Sequence, residues 1–363
     1  MSEEDLLAEK KRILREYRAL LKNAKRELDD ADRLMIRKAF DLASEAHAPM
    51  RRKSGEAYIF HPLAVARIVS EEIGLATTSI VCALLHDVVE DTEINLDDIE
   101  SLFGLRVAKI IDGLTKLRGA HFGENVSIQA ENFRKMLLTL SDDIRVILIK
   151  LSDRMHNMRT LESMRHDKQQ KIASETLYLY APLSHRLGLY NIKSEFEDLC
   201  LKYKEPSVYE QIEKSLVKSK AVRTRFINQL TIPITRGLDA SNIKYEIKTR
   251  TKSIYSIYNK MLNKNIPFEE VFDLFAIRII IDTPIESEKS ECWRVYSIVT
   301  DNYQPNPDRL RDWISTPKSN GYESLHTTVM SPTGKWVEVQ IRTKRMDEIA
   351  ELGYAAHWKY KES

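Results

Sequence analysis

Leu84-Leu85-His86-Asp87-Val88-Val89-Glu90-Asp91-Thr92 follows directly on an apolar run that begins at Ile80 and holds no helix breaker. Read as one helix, it sets His86 one turn from Glu90 and Asp87 one turn from Asp91. Two ligand-type side chains and two carboxylates then share one face of a helix whose other side is apolar. A His-Asp pair can bind a divalent metal, and the Glu-Asp pair one turn on is placed for proton transfer. Taken alone, the stretch reads first as a buried helix with a solvated acidic end. Partners elsewhere in the chain decide whether it is more.

Two such partners are present. In Arg51-Arg52-Lys53-Ser54-Gly55-Glu56-Ala57-Tyr58-Ile59-Phe60-His61-Pro62, a basic loop leads into a helix opened by Pro62. His61 stands at its entrance. The three basic residues could hold phosphate or stack on a base, or could be a solvated loop. In Ile149-Lys150-Leu151-Ser152-Asp153-Arg154-Met155-His156-Asn157-Met158-Arg159-Thr160, Asp153 and Asn157 are one helical turn apart, with Thr160 on a similar face. The run Val146 to Leu151 buries the start of that helix, where a carboxylate needs a partner or a metal. His61, His86, Asp87 and Asp153 make a two-His, two-Asp set suited to Mn²⁺, Fe²⁺ or Zn²⁺.

The whole chain sets bounds on these readings. Its 363 residues lead one to expect two domains, each able to bury a core. It is 43% hydrophobic and 30% charged, as ordinary globular proteins are. A net charge of +2 from 56 basic and 54 acidic residues argues against a dedicated nucleic-acid binder and leaves local basic clusters for nucleotide phosphates. Cys82, Cys200 and Cys292 are far apart and odd in number, which disfavours a disulfide framework or a Cys-rich zinc site. There is no 18-residue apolar run, and the start is charged, so the expectation is a cytoplasmic protein without a membrane partner.

Helical patterns dominate to about residue 230. Residues 4–28 are amphipathic, Asp29, Asp30 and Asp32 form a break and cap, and a second helix runs to about His47. Residues 162–235 read as helical, with Tyr178, Tyr180, Leu183, Leu187 and Leu189 as core candidates and a boundary at Tyr203 to Val208. From Ser241 the period becomes two. Lys248, Arg250 and Lys252 fall on one strand face, a line of positive charge suited to a polyphosphate or to solvent. A helix over Ser253 to Asn263 follows. Val271 to Ile281 reads as a buried strand carrying Asp273 and Arg278, and Lys335 to Arg342 as a strand with Glu338, Gln340 and Arg342 on one face. If these two strands are neighbours, Asp273 and Glu338 could hold Mg²⁺ between them. In Pro317-Lys318-Ser319-Asn320-Gly321-Tyr322-Glu323-Ser324-Leu325-His326-Thr327 the Asn-Gly turn sets Tyr322 beside Lys318 and His326, where an aromatic could stack on a purine.

Several of these strings resemble one family. His61, His86-Asp87 and Asp153 look like the metal signature of HD-type phosphohydrolases, and HDVVEDT and KLSDRMHNMRT look like the hydrolase domain of the RelA/SpoT homologues. IKTRTKSIYSIYNKM, FDLFAIRI, PKSNGYESLHTTV, VEVQIRT and AELGYAAHWKYK resemble the synthetase domain of the same family. The resemblance implies an α+β multidomain protein: an all-α HD-type hydrolase domain over 1–165, a helical linker over 166–205, and an α/β nucleotidyltransferase-like synthetase domain with a mixed sheet over 206–363. It implies transfer of pyrophosphate from ATP to the 3′-hydroxyl of GDP or GTP, and hydrolysis of the resulting ppGpp or pppGpp, in the bacterial stringent response.

The resemblance also implies roles. His61, His86, Asp87 and Asp153 would bind Mn²⁺. Glu90 and Asp91 would manage protons, and Arg52, Lys53, Asn157 and Thr160 would hold the guanine nucleotide. Asp273 and Glu338 would bind Mg²⁺, Arg250 and Arg278 would sandwich the adenine of ATP, and Lys252 would contact its phosphates. Lys318, Asn320, Tyr322 and His326 would hold GDP or GTP. Arg309-Leu310-Arg311-Asp312 stands where bifunctional members carry RxKD and synthetase-only members an acidic ExDD, so the charge pattern is the bifunctional one with Arg311 in place of Lys. Two active sites at once would be a futile cycle, which leads one to expect reciprocal control. Contacts with ribosomes or regulators are expected through C-terminal domains that longer members carry. The rival readings are a metal phosphohydrolase with an inactive second domain, a non-catalytic guanine nucleotide sensor, and a nucleic-acid nucleotidyltransferase.

Overall fold

A computed structural model of the chain describes residues 3–24, 27–118, 143–271 and 274–353. Contacts divide it into two units, the first ending at Tyr180 and the second beginning at Ala181.

The described part of the first unit is built of helices. They are α1 (Glu3–Asn23), α2 (Asp30–Ala46), α3 (Phe60–Arg67), α4 (Thr77–Leu85), α5 (Val88–Asp91), α6 (Leu96–Phe103), α7 (Leu105–Arg118), α8 (Ile144–Arg159) and α9 (His166–Glu175). The acidic trio does start α2. The Asp29 carboxylate accepts from the Asp32 amide at 2.7 Å and the Asp32 carboxylate accepts from the Asp29 amide, closing a capping box. The apolar run of α4 is central. It packs on α2, α3, α7 and α8, and Ile80 to Leu85 are each at most 1% exposed.

Two expectations fail in this unit. The opening stretch is not one helix: α4 ends at Leu85, His86 and Asp87 form a turn, and α5 begins at Val88. The Asp87 carbonyl accepts from the Glu90 and Asp91 amides at 3.2 and 2.9 Å, so it starts a new turn instead of continuing the old one. His86 and Glu90 therefore do not share a continuous helical face. Tyr178, expected in the core, is 69% exposed. It lies in a π-helical turn, Thr176–Tyr180, whose wider winding turns it outward while Leu179 and Tyr180 remain buried.

The second unit contains α10 (Ala181–Arg186), α11 (Tyr190–Lys204), α12 (Pro206–Ala240), β1 (Tyr245–Thr251), α13 (Ile254–Lys264), β2 (Phe275–Ile281), α14 (Glu288–Asn302), β3 (Arg311–Asp312), β4 (Leu325–Met330), β5 (Trp336–Thr343) and α15 (Lys344–Leu352). Pro206 opens α12 at its first turn, which is why the chain breaks after Lys204. The sheet order is β1-β2-β5-β4-β3. β2 and β5 are parallel and every other pair is antiparallel, the mixed sheet expected. One sheet face, with Ile277, Ile279, Val339 and Ile341, is buried against α12 and α14. β2 begins at Phe275 rather than Val271, and Asp273 lies outside the described residues, as does the string from Tyr354 onward.

Candidate active sites

Three chain segments far apart in sequence meet in the first unit. His61 comes from the start of α3, His86 and Asp87 from the turn after α4, and Asp153 from the third turn of α8. All four are at most 7% exposed. One ligand atom each from His61, His86 and Asp153 lies within 4.8 Å of the others. His61 Nε2 is 3.3 Å from Asp153 Oδ1 and 3.6 Å from Asp87 Oδ2, and His86 Nε2 is 3.2 Å from the same Asp87 oxygen.

The His86 ring is held for ligation. Its Nδ1 lies 2.8 Å from the Ala83 carbonyl and donates to it, which turns Nε2 toward Asp87 and Asp153. That Nε2 is buried and has no hydrogen-bond partner among the described residues. An orphaned imidazole nitrogen facing buried carboxylates fits a divalent cation. Burial opposes protonation of His86, yet Asp87 and Asp153 outweigh it and raise its pKa to about 9. Burial pushes His61 the other way, below its ordinary range. The carboxylates thus call for positive charge, of which Lys150 supplies part. The set can hold a divalent metal.

Most of the other residues expected here, Glu90 excepted, gather around this cluster. Asn157 Nδ2 donates to Asp153 Oδ1 at 2.6 Å, as the one-turn spacing predicts. Arg52 Nη2 reaches Asn157 Oδ1 at 3.2 Å and Thr160 Oγ1 at 3.4 Å. Asp91 Oδ2 accepts from the Tyr58 hydroxyl at 3.0 Å, and the same hydroxyl reaches Asp87 Oδ2 at 2.7 Å. Glu90 is half-buried on α5 and Lys53 is exposed. Arg52, Lys53, Tyr58, His61, Asp87, Asp91, Asp153, Asn157 and Thr160 all line one cavity of about 620 Å³. Lys150, Arg154 and Tyr180 line it too.

Sequence reading passed over three of its parts. Tyr58 ties Asp87 to Asp91, Lys150 Nζ pairs with Asp153 Oδ2 at 2.8 Å, and His156 Nδ1 is 2.7 Å from His61 Nδ1. Each sits inside a string already quoted. Only the fold reveals which of its neighbours face inward.

In the second unit the register sets the site. Arg250 pairs with Ala276, Ala276 with Glu338, and Glu338 with Thr328. Lys248 pairs with Arg278, Arg278 with Gln340, and Gln340 with His326. Paired residues point the same way and alternate residues repeat the face, so Lys248, Arg250, Arg278, Glu338, Gln340, Arg342 and His326 share the face opposite the apolar core. His326 in turn pairs with Arg311 of β3. Lys252 falls just past β1, its amide donating to the Leu274 carbonyl at 2.9 Å.

Glu338 is the best-defined acid of this face. His326 Nδ1 lies 3.3 Å from Glu338 Oε1, and Gln340 donates to the same oxygen at 2.8 Å. His326 holds the carboxyl pKa down at about 2 against the opposing effect of burial, with help from Gln340 and Lys252. With Nδ1 donating to Glu338, Nε2 of His326 accepts from the Tyr322 hydroxyl at 2.8 Å. Tyr322 is 8% exposed, not presented at a bare turn tip, and Lys318 Nζ stands 5.0 Å from its ring centre. Asn320 Nδ2 donates to the Tyr190 hydroxyl at 2.9 Å. Arg309 and Arg311 are exposed. Asp312 is turned into its own loop, accepting from the Ile314 and Ser315 amides at 3.0 and 2.8 Å.

Comparison with known proteins gives both units relatives. Residues 39–190 match the HD domain family, and residues 249–363 match the region found in RelA / SpoT proteins. The chain is 45% identical over 334 residues to a probable guanosine-3′,5′-bis(diphosphate) 3′-pyrophosphohydrolase of Synechocystis sp., covering 92% of this chain and 43% of the relative. It is 45% identical over 327 residues to the bifunctional (p)ppGpp synthase/hydrolase SpoT of Escherichia coli, covering 90% and 46%. It is 38% identical over 350 residues to the GTP pyrophosphokinase rsh of Brucella ovis, covering 96% and 46%. The chain spans less than half the length of these curated relatives.

Proposed function

This chain belongs to the RelA/SpoT homologues, joining an HD domain to the region found in RelA / SpoT proteins, and we propose that it both makes and removes guanosine 3′-pyrophosphates. Synthesis moves pyrophosphate from ATP to the 3′-oxygen of GDP or GTP and releases AMP. Hydrolysis adds water across the bond between that oxygen and phosphorus, and returns GDP or GTP and pyrophosphate. We assign hydrolysis to residues 1–165, a linker to 166–205 and synthesis to 206–363.

For hydrolysis, His61, His86, Asp87 and Asp153 would hold Mn²⁺, which when bound supplies a Lewis acid and an acidified water. Arg52, backed by Asn157 and Thr160, would take the nucleotide together with Lys53. Asp91, fixed by Tyr58, and Glu90 would receive the proton of the attacking water and protonate the departing 3′-oxygen.

For synthesis, Glu338 is ionised throughout the physiological range and would serve Mg²⁺ together with Asp273, and draw the proton of the 3′-hydroxyl. Arg250 and Arg278 would flank the adenine and Lys252 would meet the phosphates. Lys318, Asn320, Tyr322 and His326 would hold the acceptor nucleotide beside Arg309, Arg311 and Asp312. Positioning and charge neutralisation carry most of a phosphoryl-type transfer, which suits a face rich in cations and poor in nucleophiles. Opposed reactions in one chain require reciprocal control, so ligand in one site should slow the other.

One observation carries the reading: a buried His/Asp cluster with an orphaned imidazole nitrogen and a cation-rich strand face occur together in a chain 45% identical to a bifunctional synthase/hydrolase. Nucleotide chromatography tests it, with ATP plus GDP and Mg²⁺ in one reaction and ppGpp and Mn²⁺ in the other. AMP and ppGpp from the first and GDP from the second are expected. No turnover in either would leave a nucleotide sensor.

A further inference from the structure

Two arginines lie deep in the polar face of the sheet. Arg278 is 7% exposed and Arg342 is 1% exposed. The helix α15 brings two carboxylates to them, Asp347 and Glu351, one turn apart. Glu351 Oε1 accepts from Arg278 Nη1 at 2.6 Å, and Asp347 Oδ1 approaches Arg342 Nη2 at 2.5 Å. The pairing is crossed at longer range, with Arg278 3.9 Å from Asp347 and Arg342 3.7 Å from Glu351. Arg250 stands on the same face, and its pKa is lowered first by burial and then by Arg278 and Arg342. Three guanidinium groups this close repel one another. Without fixed counter-charge each would swing toward solvent.

Glu351 is itself clamped. Asn191 of α11 donates to its second oxygen. Gly353, just past α15, has φ 55° and leaves no room for a Cβ against the Leu187 carbonyl and Gly188, so the end of the helix is seated tightly beside the start of α11. A guanidinium bound at one edge keeps its flat face free for an aromatic ring. The Nε of Arg278 is buried and has no partner among the described residues, so the ion pair with Glu351 is what fixes this guanidinium.

We propose that Glu351, acting through Arg278, is a positioning residue for the adenine of ATP, an inference that rests on the synthetic activity proposed above. Asp347 supplies the counter-charge beside Arg342. The rival role for the same contacts is an internal decoy that competes with the phosphates of ATP, and it has the opposite sign. Removing a decoy tightens ATP binding; removing a positioning carboxylate weakens it.

The test is calorimetric binding of a non-hydrolysable ATP analogue with Mg²⁺ to the full chain. Glu351→Gln should raise Kd roughly tenfold, the loss of one charge-assisted hydrogen bond. In turnover it should raise KM for ATP by about the same factor, with kcat within about twofold and KM for GDP unchanged, a split that general loosening would not give. Asn191→Ala, which loosens Glu351 without touching the arginines, should shift Kd the same way by about threefold. It decides the matter alone if Glu351→Gln does not fold. Unchanged or tighter binding in the variants overturns the inference and leaves the synthetic activity standing. A parent protein that binds no ATP analogue overturns both.

Discussion

In the helical unit, two imidazoles and two carboxylates turn inward from three chain segments, and the two carboxylates share one paired lysine, Lys150. On the sheet face the balance is reversed. Arginines and lysines outnumber the acids, and Asp347 and Glu351 pair with two of the arginines. Both arrangements suit phosphate chemistry, the first as a set that can hold a metal and the second as a face that can hold a polyanion. A site short of cations should fail abruptly when its ligand nitrogens go. A site with a surplus should weaken by degrees.

The largest effect should come from His86→Ala. It removes the orphaned Nε2, and Mn²⁺ affinity measured by calorimetry should fall by on the order of 10²–10³-fold. Retained Mn²⁺ binding would break the contrast at its root. Next comes Ile279→Ala on the buried sheet face. It should cost about 2–5 kcal/mol in denaturant unfolding, lowering the strand platform without touching the polar face. A smaller loss would mean that the two faces are not divided as the register indicates.

Tyr58→Phe sharpens the contrast. It keeps every ligand-type atom and removes only the bridge between Asp87 and Asp91. Hydrolysis of ppGpp should fall by roughly 10–100-fold with synthesis unchanged. A loss of both activities would argue for a general loosening.

The smallest effect concerns the cysteines, which belong to neither site. Cys82, Cys200 and Cys292 are buried thiols, none of them in a disulfide. Burial, with Glu288 and Glu291 adding to it, pushes the Cys292 thiol up from 9.0 to about 12. Its neutral form is favoured in the folded state, so that contribution is fully present below pH 9.0 and is lost as pH rises toward 12. Labelling at pH 8 should find all three thiols silent until the protein is denatured. Rapid native labelling of Cys292 would contradict the packing of α14.

The sheet site was the more legible of the two in the sequence. A strand alternates strictly, so Lys248 with Arg250, and Glu338 with Gln340 and Arg342, could be assigned to faces by counting. The strand pairing then brought the faces together. The helical site was legible as a set of residues but not as a geometry. Nothing in LLHDVVEDT is a helix breaker, yet the chain turns at His86 and Asp87, which sets His86 Nε2 beside its neighbour Asp87 and toward Asp153 of α8. Tyr178 was misjudged for a related reason. A π turn adds a residue to the winding and moves the face that a regular helical count predicts. Glu351 stayed hidden because its partner is distant: Arg278 is 73 residues away in the chain.

The central claim is that one chain holds two separate sites, each with its own chemistry. It is tested most directly by running both reactions, ATP plus GDP with Mg²⁺ and ppGpp with Mn²⁺, on Asp153→Asn and Glu338→Gln. Asp153→Asn should lose hydrolysis and keep synthesis, and Glu338→Gln should lose synthesis and keep hydrolysis. Loss of both activities in either variant, with the fold intact by calorimetry, would contradict the account.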